Sequence, residues 1–355
     1  MRALVLVAPG EAEVQDVPEP VAAPGDVVVD VQRAGVCGTD VELYTGEMQY
    51  LHDGVTTYPV RIGHEWMGTV SAVGAGVDPG WIGVRVTGDT MLGCGRCRRC
   101  LGGYQHVCAF RGELGIRDGR PGALAEQVAV PVTSLHRLPD AVGDAAGALV
   151  EPGGNAFRSV EAAALAPGER LLIAGAGTIG LLAAMFARAR GIDVHLLGRS
   201  ERSLGFARSL GFAQAWSDDD LPDLPWDAVI DASNAPQLPA RAVELVEPGR
   251  RVVYVGLAGS PSLVDTRAIA LADVTAVGIL SASPGLAGTI AAYASGAVDP
   301  TPLVAATVDL AHVPGILAGI RPDGAGPGPK FHIAIRDGDA IRDAPHDGQD
   351  QGVSR

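Results

Sequence analysis

The 355-residue chain has almost no lysine, because every one of its 27 basic residues except Lys330 is arginine. Composition alone gives that lysine no role. Basic residues are also outnumbered by 41 acidic ones, and the net charge of −14 argues against nucleic acid or an anionic membrane as a partner. Glycine, proline or charge interrupts every apolar run before it is long enough to span a bilayer, so no membrane segment is expected.

Cysteine is scarce as well, and the five that occur are an odd number and strongly clustered. A chain of this size with such a set is not a disulfide framework; it favours metal ligation in a reducing cytoplasm. Residues 1–7 stop at a Pro-Gly pair and predict a strand rather than a signal peptide. We therefore expect a cytoplasmic protein.

The remaining composition indicates two folded domains. Hydrophobic residues make up 47% of the chain, and its length exceeds that of one ordinary core. Short β-branched runs between glycines and prolines predict a β-rich domain at residues 1–150, to which residues 285–336 return. Strands alternate with helices over residues 151–284, which predicts an α/β fold with an inserted parallel sheet. The polar residues 337–355 are predicted to be a disordered tail.

Four of the cysteines form a C-x2-C-x2-C-x7-C pattern made by Cys94, Cys97, Cys100 and Cys108. Four thiolates complete the tetrahedral sphere of a structural zinc and leave no position open for a substrate. Ferredoxins share the first three cysteines, but their motif continues with a fourth after three residues. Four unconnected loop cysteines remain the other alternative.

A second set of possible ligands is dispersed along the chain: Cys37, His64, Glu65 and Glu151. One sulfur, one imidazole and one carboxylate would hold a zinc with a vacant fourth position, as a Lewis-acid catalyst requires. Each residue also has an ordinary explanation, such as a small buried cysteine, a surface His-Glu pair or a Glu-Pro helix boundary. The residue types leave both interpretations open.

The segment Gly175-Ala176-Gly177-Thr178-Ile179-Gly180 matches G-x-G-x-x-G between a predicted strand and a predicted helix. In that context the glycines make the turn and admit a pyrophosphate to the helix N-terminus, so we predict a dinucleotide site. Asn155, Asn234 and Gly256 end segments that converge on the same sheet edge and are candidate nicotinamide contacts, or ordinary loop residues.

The next strand ends in Gly198-Arg199-Ser200 and lacks the carboxylate that binds a ribose hydroxyl in NAD-binding domains. Arg199 and Ser200 would suit a 2′-phosphate, which favours NADP over NAD. The alternative is that Glu201 contacts the ribose while the arginines are simply solvated.

Taken together, these motifs resemble the zinc-dependent medium-chain alcohol dehydrogenases over residues 1–336. The similarity lies in residues 37–40 (Cys-Gly-Thr-Asp), residues 63–65 (Gly-His-Glu), the four cysteines, Glu151-Pro152 and the glycine turn. The resemblance implies a GroES-like catalytic domain, an inserted Rossmann domain and two zinc ions per chain. Cys37, His64 and Glu151 fall on the catalytic ligand positions, and Glu65 on a carboxylate beside or bound to the metal.

Within the family the chain is most similar to the threonine, polyol, sugar and aminocyclitol branch. Residues 112–116 and 64–66 look like those of 2-deoxy-scyllo-inosamine dehydrogenases. Glu42 stands where threonine dehydrogenases usually carry histidine, which counts against threonine as substrate.

The resemblance implies reversible oxidation of a secondary alcohol in a small hydroxylated substrate by a homodimer or homotetramer. Thr39 would take the hydroxyl proton, with Glu42 as a candidate relay to solvent. One alternative is an NADPH-dependent reductase of an enal, imine or ketone with mainly structural zinc. Another is a dinucleotide sensor without catalysis, which turnover of any polyol would exclude.

Overall fold

The computed structural model describes residues 1–335, so the predicted tail at 337–355 lies outside the described residues. The strands are β1 (Arg2–Ala8), β2 (Glu11–Asp16), β3 (Asp26–Gly35), β4 (Glu65–Val73), β5 (Arg85–Gly88), β6 (Met91–Leu92), β7 (Gly112–Glu113), β8 (Gln127–Pro131), β9 (Leu135–Arg137), β10 (Arg170–Ala174), β11 (Asp193–Leu197), β12 (Ala215–Trp216), β13 (Trp226–Asp231), β14 (Val246–Tyr254), β15 (Thr275–Gly278), β16 (Val304–Val308) and β17 (Lys330–Ala334).

The α-helices are α1 (Gly38–Thr45), α2 (Gln49–His52), α3 (Arg98–Leu101), α4 (Asp144–Ala148), α5 (Val150–Ala163), α6 (Thr178–Ala189), α7 (Glu201–Ser209), α8 (Leu238–Leu245), α9 (Thr266–Leu271), α10 (Leu286–Ala294) and α11 (Val313–Leu317). Within residues 1–335, none of them combines the length and the apolar character that a bilayer-spanning helix needs.

The first large sheet is six-stranded and parallel, in the order β12-β11-β10-β13-β14-β15. Its central strands β10 and β13 are mostly buried and apolar because helices cover both faces of the sheet there. In β10, Leu171 and Ile173 join the core under α5 and α6, whereas Leu172 and Ala174 join the core under α8. Because side chains alternate along a strand, this one short run places apolar side chains on both faces of the sheet.

The second large sheet runs β16-β17-β3-β4-β5-β9, with β8 also paired to β3. Alternate valines of β3, namely Val27, Val29 and Val31, point into the core of this domain together with Trp66. β17 comes from the far end of the described chain and pairs antiparallel with β3. The predicted α/β class is therefore confirmed, while the exact domain boundaries at 150 and 285 stay a prediction.

The two sheets meet where the chain crosses between them. α5 begins at the first crossing and packs on α6 and α10 of the parallel-sheet half. Near the second crossing, the Ser283 hydroxyl donates a 2.8 Å hydrogen bond to the buried Asp89 carboxylate of the other half. The ends of β3, β4 and α5 converge at this junction and place the candidate site there.

Candidate active site

Three of the four dispersed ligand candidates lie together at the ends of paired strands. Cys37 follows β3 as the N-cap of α1, and His64 immediately precedes β4. The antiparallel register sets Gly35 opposite Glu65, so the end of β3 meets the start of β4. One ligand atom each from Cys37, His64 and Glu65 lies within 4.8 Å of the others.

Glu151, the fourth candidate, lies in the first turn of α5 and is buried. It falls outside the 4.8 Å set, and its carboxylate accepts a 3.1 Å hydrogen bond from Asn155 Nδ2. Burial, countered by His64 and reinforced by Glu65, raises the pKa of Glu151 to about 7. The structure therefore keeps this carboxylate within electrostatic reach of the other three groups.

Asp40 is a functional candidate that the sequence interpretation missed. Its fully buried Oδ2 accepts a 2.9 Å hydrogen bond from the Cys37 backbone N–H. Its Oδ1 lies 3.7 Å from His64 Nδ1, which is too long for a hydrogen bond. The signal was available, because an acidic residue three positions after an N-cap commonly turns back to it.

These groups fit a divalent cation. Burial lowers the pKa of His64, but the charges of Cys37, Asp40 and Glu151 outweigh it, so that pKa lies well above its ordinary value. His64 Nδ1 and Asp40 Oδ1 are both buried without a hydrogen-bond partner. A thiolate, an imidazole and a carboxylate gathered in an anionic field are the donors that zinc prefers.

The four-cysteine lobe is equally well formed. Its sulfurs lie 3.6 Å (Cys97–Cys100), 3.7 Å (Cys97–Cys108) and 4.0 Å (Cys94–Cys100) apart. Zinc–sulfur bonds of about 2.3 Å in a tetrahedron require sulfur separations of roughly 3.8 Å. The predicted ligands Cys94, Cys97, Cys100 and Cys108 are thus arranged around one point.

Electrostatics in the lobe also indicate a cation. Backbone N–H groups of Arg96 and Cys97 lower the pKa of Cys94 to about 6. Burial, opposed by the Gly95 N–H and reinforced by the neighbouring cysteines, raises the pKa of Cys100 to about 12. Four sulfurs this close cannot all be thiolates without a positive charge between them.

The glycine turn joins β10 to α6 as the motif requires. Gly175 has φ +112°, and a Cβ at Gly180 would lie 1.7 Å from the Gly175 carbonyl oxygen, so both positions need glycine. A Cβ at Gly177 would meet nothing within 4 Å. Packing therefore does not explain Gly177, and the open space beside it suits a pyrophosphate at the N-terminus of α6, where Thr178 and Ile179 begin the helix.

Comparison with known proteins agrees with this geometry. Residues 23–140 match the alcohol dehydrogenase GroES-like domain, and residues 178–295 match the zinc-binding dehydrogenase domain. An L-threonine 3-dehydrogenase from Streptomyces avermitilis is 35% identical over 277 residues, covering 74% of this chain and 79% of the relative.

Two solved structures extend the similarity to the whole fold. A zinc-binding dehydrogenase from Sinorhizobium meliloti, bound to NADP, is 26% identical with a TM-score of 0.83 and covers 94% of this chain and 98% of that one. An alcohol dehydrogenase from E. coli CFT073, complexed with NADH, is also 26% identical, with a TM-score of 0.85 and coverage of 94% and 99%.

This chain belongs to the zinc-dependent medium-chain alcohol dehydrogenase family. The dehydrogenase is therefore an oxidoreductase that interconverts an alcohol and a ketone. The predicted family resemblance and the GroES-like and Rossmann architecture are confirmed.

At the end of β11, where the sequence predicts the adenosine end of a cofactor site, Gly198 follows the strand and a Cβ there would lie 2.8 Å from Leu204. Arg199 is exposed, and the Ser200 hydroxyl caps α7 by accepting a bond from the Ser203 N–H. The Glu201 carboxylate is paired with Arg208 at 2.6 Å.

The other predicted site residues occupy varied surroundings. Thr39 is half-buried in the first turn of α1, two residues after Cys37. Glu42 is on the same helix and is accessible to solvent. Partial burial of its carboxyl, together with the charge of Glu47, raises its pKa. Asn234 follows β13, and Gly256 follows β14, where a Cβ would lie 1.9 Å from the Ser233 carbonyl oxygen. Their contacts with the nicotinamide stay a prediction.

Proposed function

We propose that the dehydrogenase oxidises a secondary alcohol of a polyol, cyclitol, aminocyclitol or sugar to the ketone, reversibly and with NADP. The observation that carries the proposal is the set of Cys37, His64 and Glu65 donors within 4.8 Å of one another, in which His64 and Glu65 are buried and Cys37 is half-buried. Such a set is unexplained by packing alone, because it concentrates titratable groups in a buried place.

Cys37, His64 and a carboxylate from Glu65 or Glu151 would hold the zinc, which when bound supplies Lewis-acid polarisation of the alcohol oxygen. A bound nicotinamide would supply the hydride-transfer chemistry. Thr39 stands two residues from Cys37 and is assigned to take the hydroxyl proton, with Glu42 as the exposed relay. Asp40 and Asn155 fix the metal-binding groups by hydrogen bonds to Cys37 N and Glu151 Oε1.

A polar network beside the metal site favours a polyhydroxylated substrate over an apolar alcohol. Tyr50 Oη donates to Glu113 Oε1 at 3.1 Å, and Arg111 contacts both groups. Glu113 is separated by one residue from Gly115, whose Cβ position lies 2.7 Å from the Gly63 carbonyl oxygen. The network thus lies on the segment packed against the residue before His64.

The substrate class is tested with a panel of polyols, cyclitols, aminocyclitols and L-threonine, followed by absorbance of the reduced nicotinamide. An apolar secondary alcohol of similar size is the control. We expect kcat/KM for the best polyhydroxylated compound to exceed that of the control by at least about 100-fold, since unpaired buried polar groups penalise the apolar analogue. Equal values would contradict the proposed substrate class.

NADP preference is supported by the absence of a free carboxylate at the end of β11. Glu201 is paired with Arg208, whereas Arg199 and Ser200 are exposed and accessible to a 2′-phosphate. Arg199→Ala should raise KM for NADP about tenfold and leave KM for NAD unchanged. NAD as the better wild-type cofactor, with no effect of the substitution, would contradict this preference.

The alternatives make distinct predictions. A reductase with only structural zinc would need no cation at Cys37, His64 and Glu65, and would retain activity in Cys37→Ala. A non-catalytic dinucleotide sensor would turn over none of the compounds in the panel. The buried donor set favours the dehydrogenase over both.

We also propose a homodimer formed through β15. In residues 1–335 this strand ends the six-stranded sheet, carries no charged residue and is mostly exposed. Exposed Leu257, Leu263 and Leu271 lie in neighbouring segments. An uncharged open edge pairs readily with a second copy. Light scattering should give a dimer or tetramer, and Ala276→Pro should give monomers. We further propose a cytoplasmic location, which the five free cysteines favour.

A further inference from the structure

Lys330, the single lysine of the chain, is buried at the start of β17 with 3% of its surface exposed. Its ammonium donates to both carboxylate oxygens of Glu65 at 2.7 Å and to the Val36 carbonyl oxygen at 3.0 Å. A lysine has three donors, and all three are used. Both partners adjoin metal donors, since Val36 precedes Cys37 and Glu65 follows His64.

We propose that Lys330 is a positioning residue that fixes Glu65 as the carboxylate ligand of the catalytic metal. The inference rests on the proposed zinc site. Because the ammonium holds both oxygens, the Glu65 carboxylate keeps one orientation. In that orientation its ligand atom lies within 4.8 Å of those of Cys37 and His64, whereas Glu151 is held outside the set by Asn155.

The ammonium also compensates charge. Glu65 and Glu151 are both buried, and both lie near His64. A buried carboxylate without a counter-charge is costly, and two close together are costlier. The Lys330 ammonium places a positive charge 2.7 Å from both oxygens of Glu65 and so holds the carboxylate at the metal site.

The choice of lysine supports a specific role, because arginine occupies every other basic position of the chain. An ammonium places three donors on one atom and matches three acceptors, whereas a guanidinium is planar, larger and carries five donors. Space here is tight, since a Cβ at Gly35 would lie 2.3 Å from Glu65 Oε2. Arginine would keep the charge but could not keep this geometry.

The test measures zinc affinity rather than activity. Wild type, Lys330→Met, Glu65→Gln and the double variant are titrated with graded chelator, and the zinc retained per chain is determined by elemental analysis. The zinc of the four-cysteine lobe is the internal control for folding. We expect each single substitution to weaken the catalytic site about 10- to 100-fold, as is usual for supporting residues. The zinc affinity of the double variant should equal that of the single variant with the lower affinity.

Lys330→Arg sharpens the experiment, because it retains the charge. If the orientation of Glu65 matters, Lys330→Arg should weaken zinc binding at the catalytic site nearly as much as Lys330→Met does. If only the charge matters, Lys330→Arg should have the zinc affinity of the wild type. Losses that add in the double variant, or full affinity in Lys330→Met or Lys330→Arg, would overturn the positioning role. Only one zinc in the wild type would instead defeat the proposed function.

A second measurement needs no change at Lys330. Protein labelled with 13Cε-lysine gives a single side-chain NMR signal, since the chain has one lysine. We expect that signal to shift when chelator removes the catalytic zinc and to return when zinc is restored. In Glu65→Gln the shift should be lost. If wild-type protein that initially binds two zinc ions shows no change in this signal when the catalytic zinc is removed, the proposal is overturned. This holds even if Lys330→Met does not fold.

Discussion

The two candidate metal sites of this dehydrogenase are built in opposite ways. The lobe takes all four donors from residues 94–108, and backbone N–H groups of the same loop support its sulfurs. The other site takes its donors from the residues around the end of β3 and the start of β4, and Glu151 approaches them from the first turn of α5. The lobe can therefore form locally around its ion, whereas the dispersed site exists only after β3 and β4 have paired.

The largest expected effect separates the two sites by their function. Cys37→Ala should remove one zinc, keep the lobe zinc and reduce kcat/KM about 1,000-fold, since loss of Lewis-acid stabilisation is worth several kcal/mol. Cys97→Ala should remove the lobe zinc instead, lower the melting temperature and leave the catalytic zinc bound. Metal analysis and kinetics on both variants check this. Full activity and two zincs in Cys37→Ala would contradict the assignment.

A smaller effect is expected from the support of the dispersed site. Asp40→Asn keeps the size of the side chain, but it weakens the hydrogen bond that the Cys37 N–H donates and removes the negative charge beside His64. We expect zinc affinity at this site to fall about tenfold, with the lobe unaffected. Asp53→Asn, an exposed carboxylate at the end of α2, is the matched control. Equal losses at both zinc sites would indicate general destabilisation instead.

The smallest effect concerns the alignment of the two halves. Ser283→Ala removes the 2.8 Å hydrogen bond to Asp89 that links them. We expect the free energy of unfolding to fall by about 1–3 kcal/mol, because a buried charged acceptor loses a donor. Ser295→Ala, whose hydroxyl bonds locally to the Ala292 carbonyl, is the control. Denaturant unfolding checks both, and equal stabilities would contradict the linking role.

The sequence predicted the local features better than the dispersed ones, for a physical reason. Spacing alone identified the four cysteines and the glycine turn, because each forms within one loop. The residue types left the grouping of Cys37, His64 and Glu65 open until the family resemblance favoured it, since only strand register brings Gly35 opposite Glu65. Lys330 lies 265 residues from Glu65, and no periodicity could pair them. Whether Glu65 or Glu151 is nearer the ion depended on side-chain bonds such as that from Asn155.

Helix α5 has a mechanical consequence. It packs chiefly on the Rossmann half, yet its first turn carries Glu151, while Cys37, His64 and Glu65 are anchored in the other half. Any hinge rotation between the halves therefore slides Glu151 toward or away from its neighbours without disturbing the remaining three. Binding of a dinucleotide to the Rossmann half would in this way change the distance between Glu151 and the ion bound in the other half.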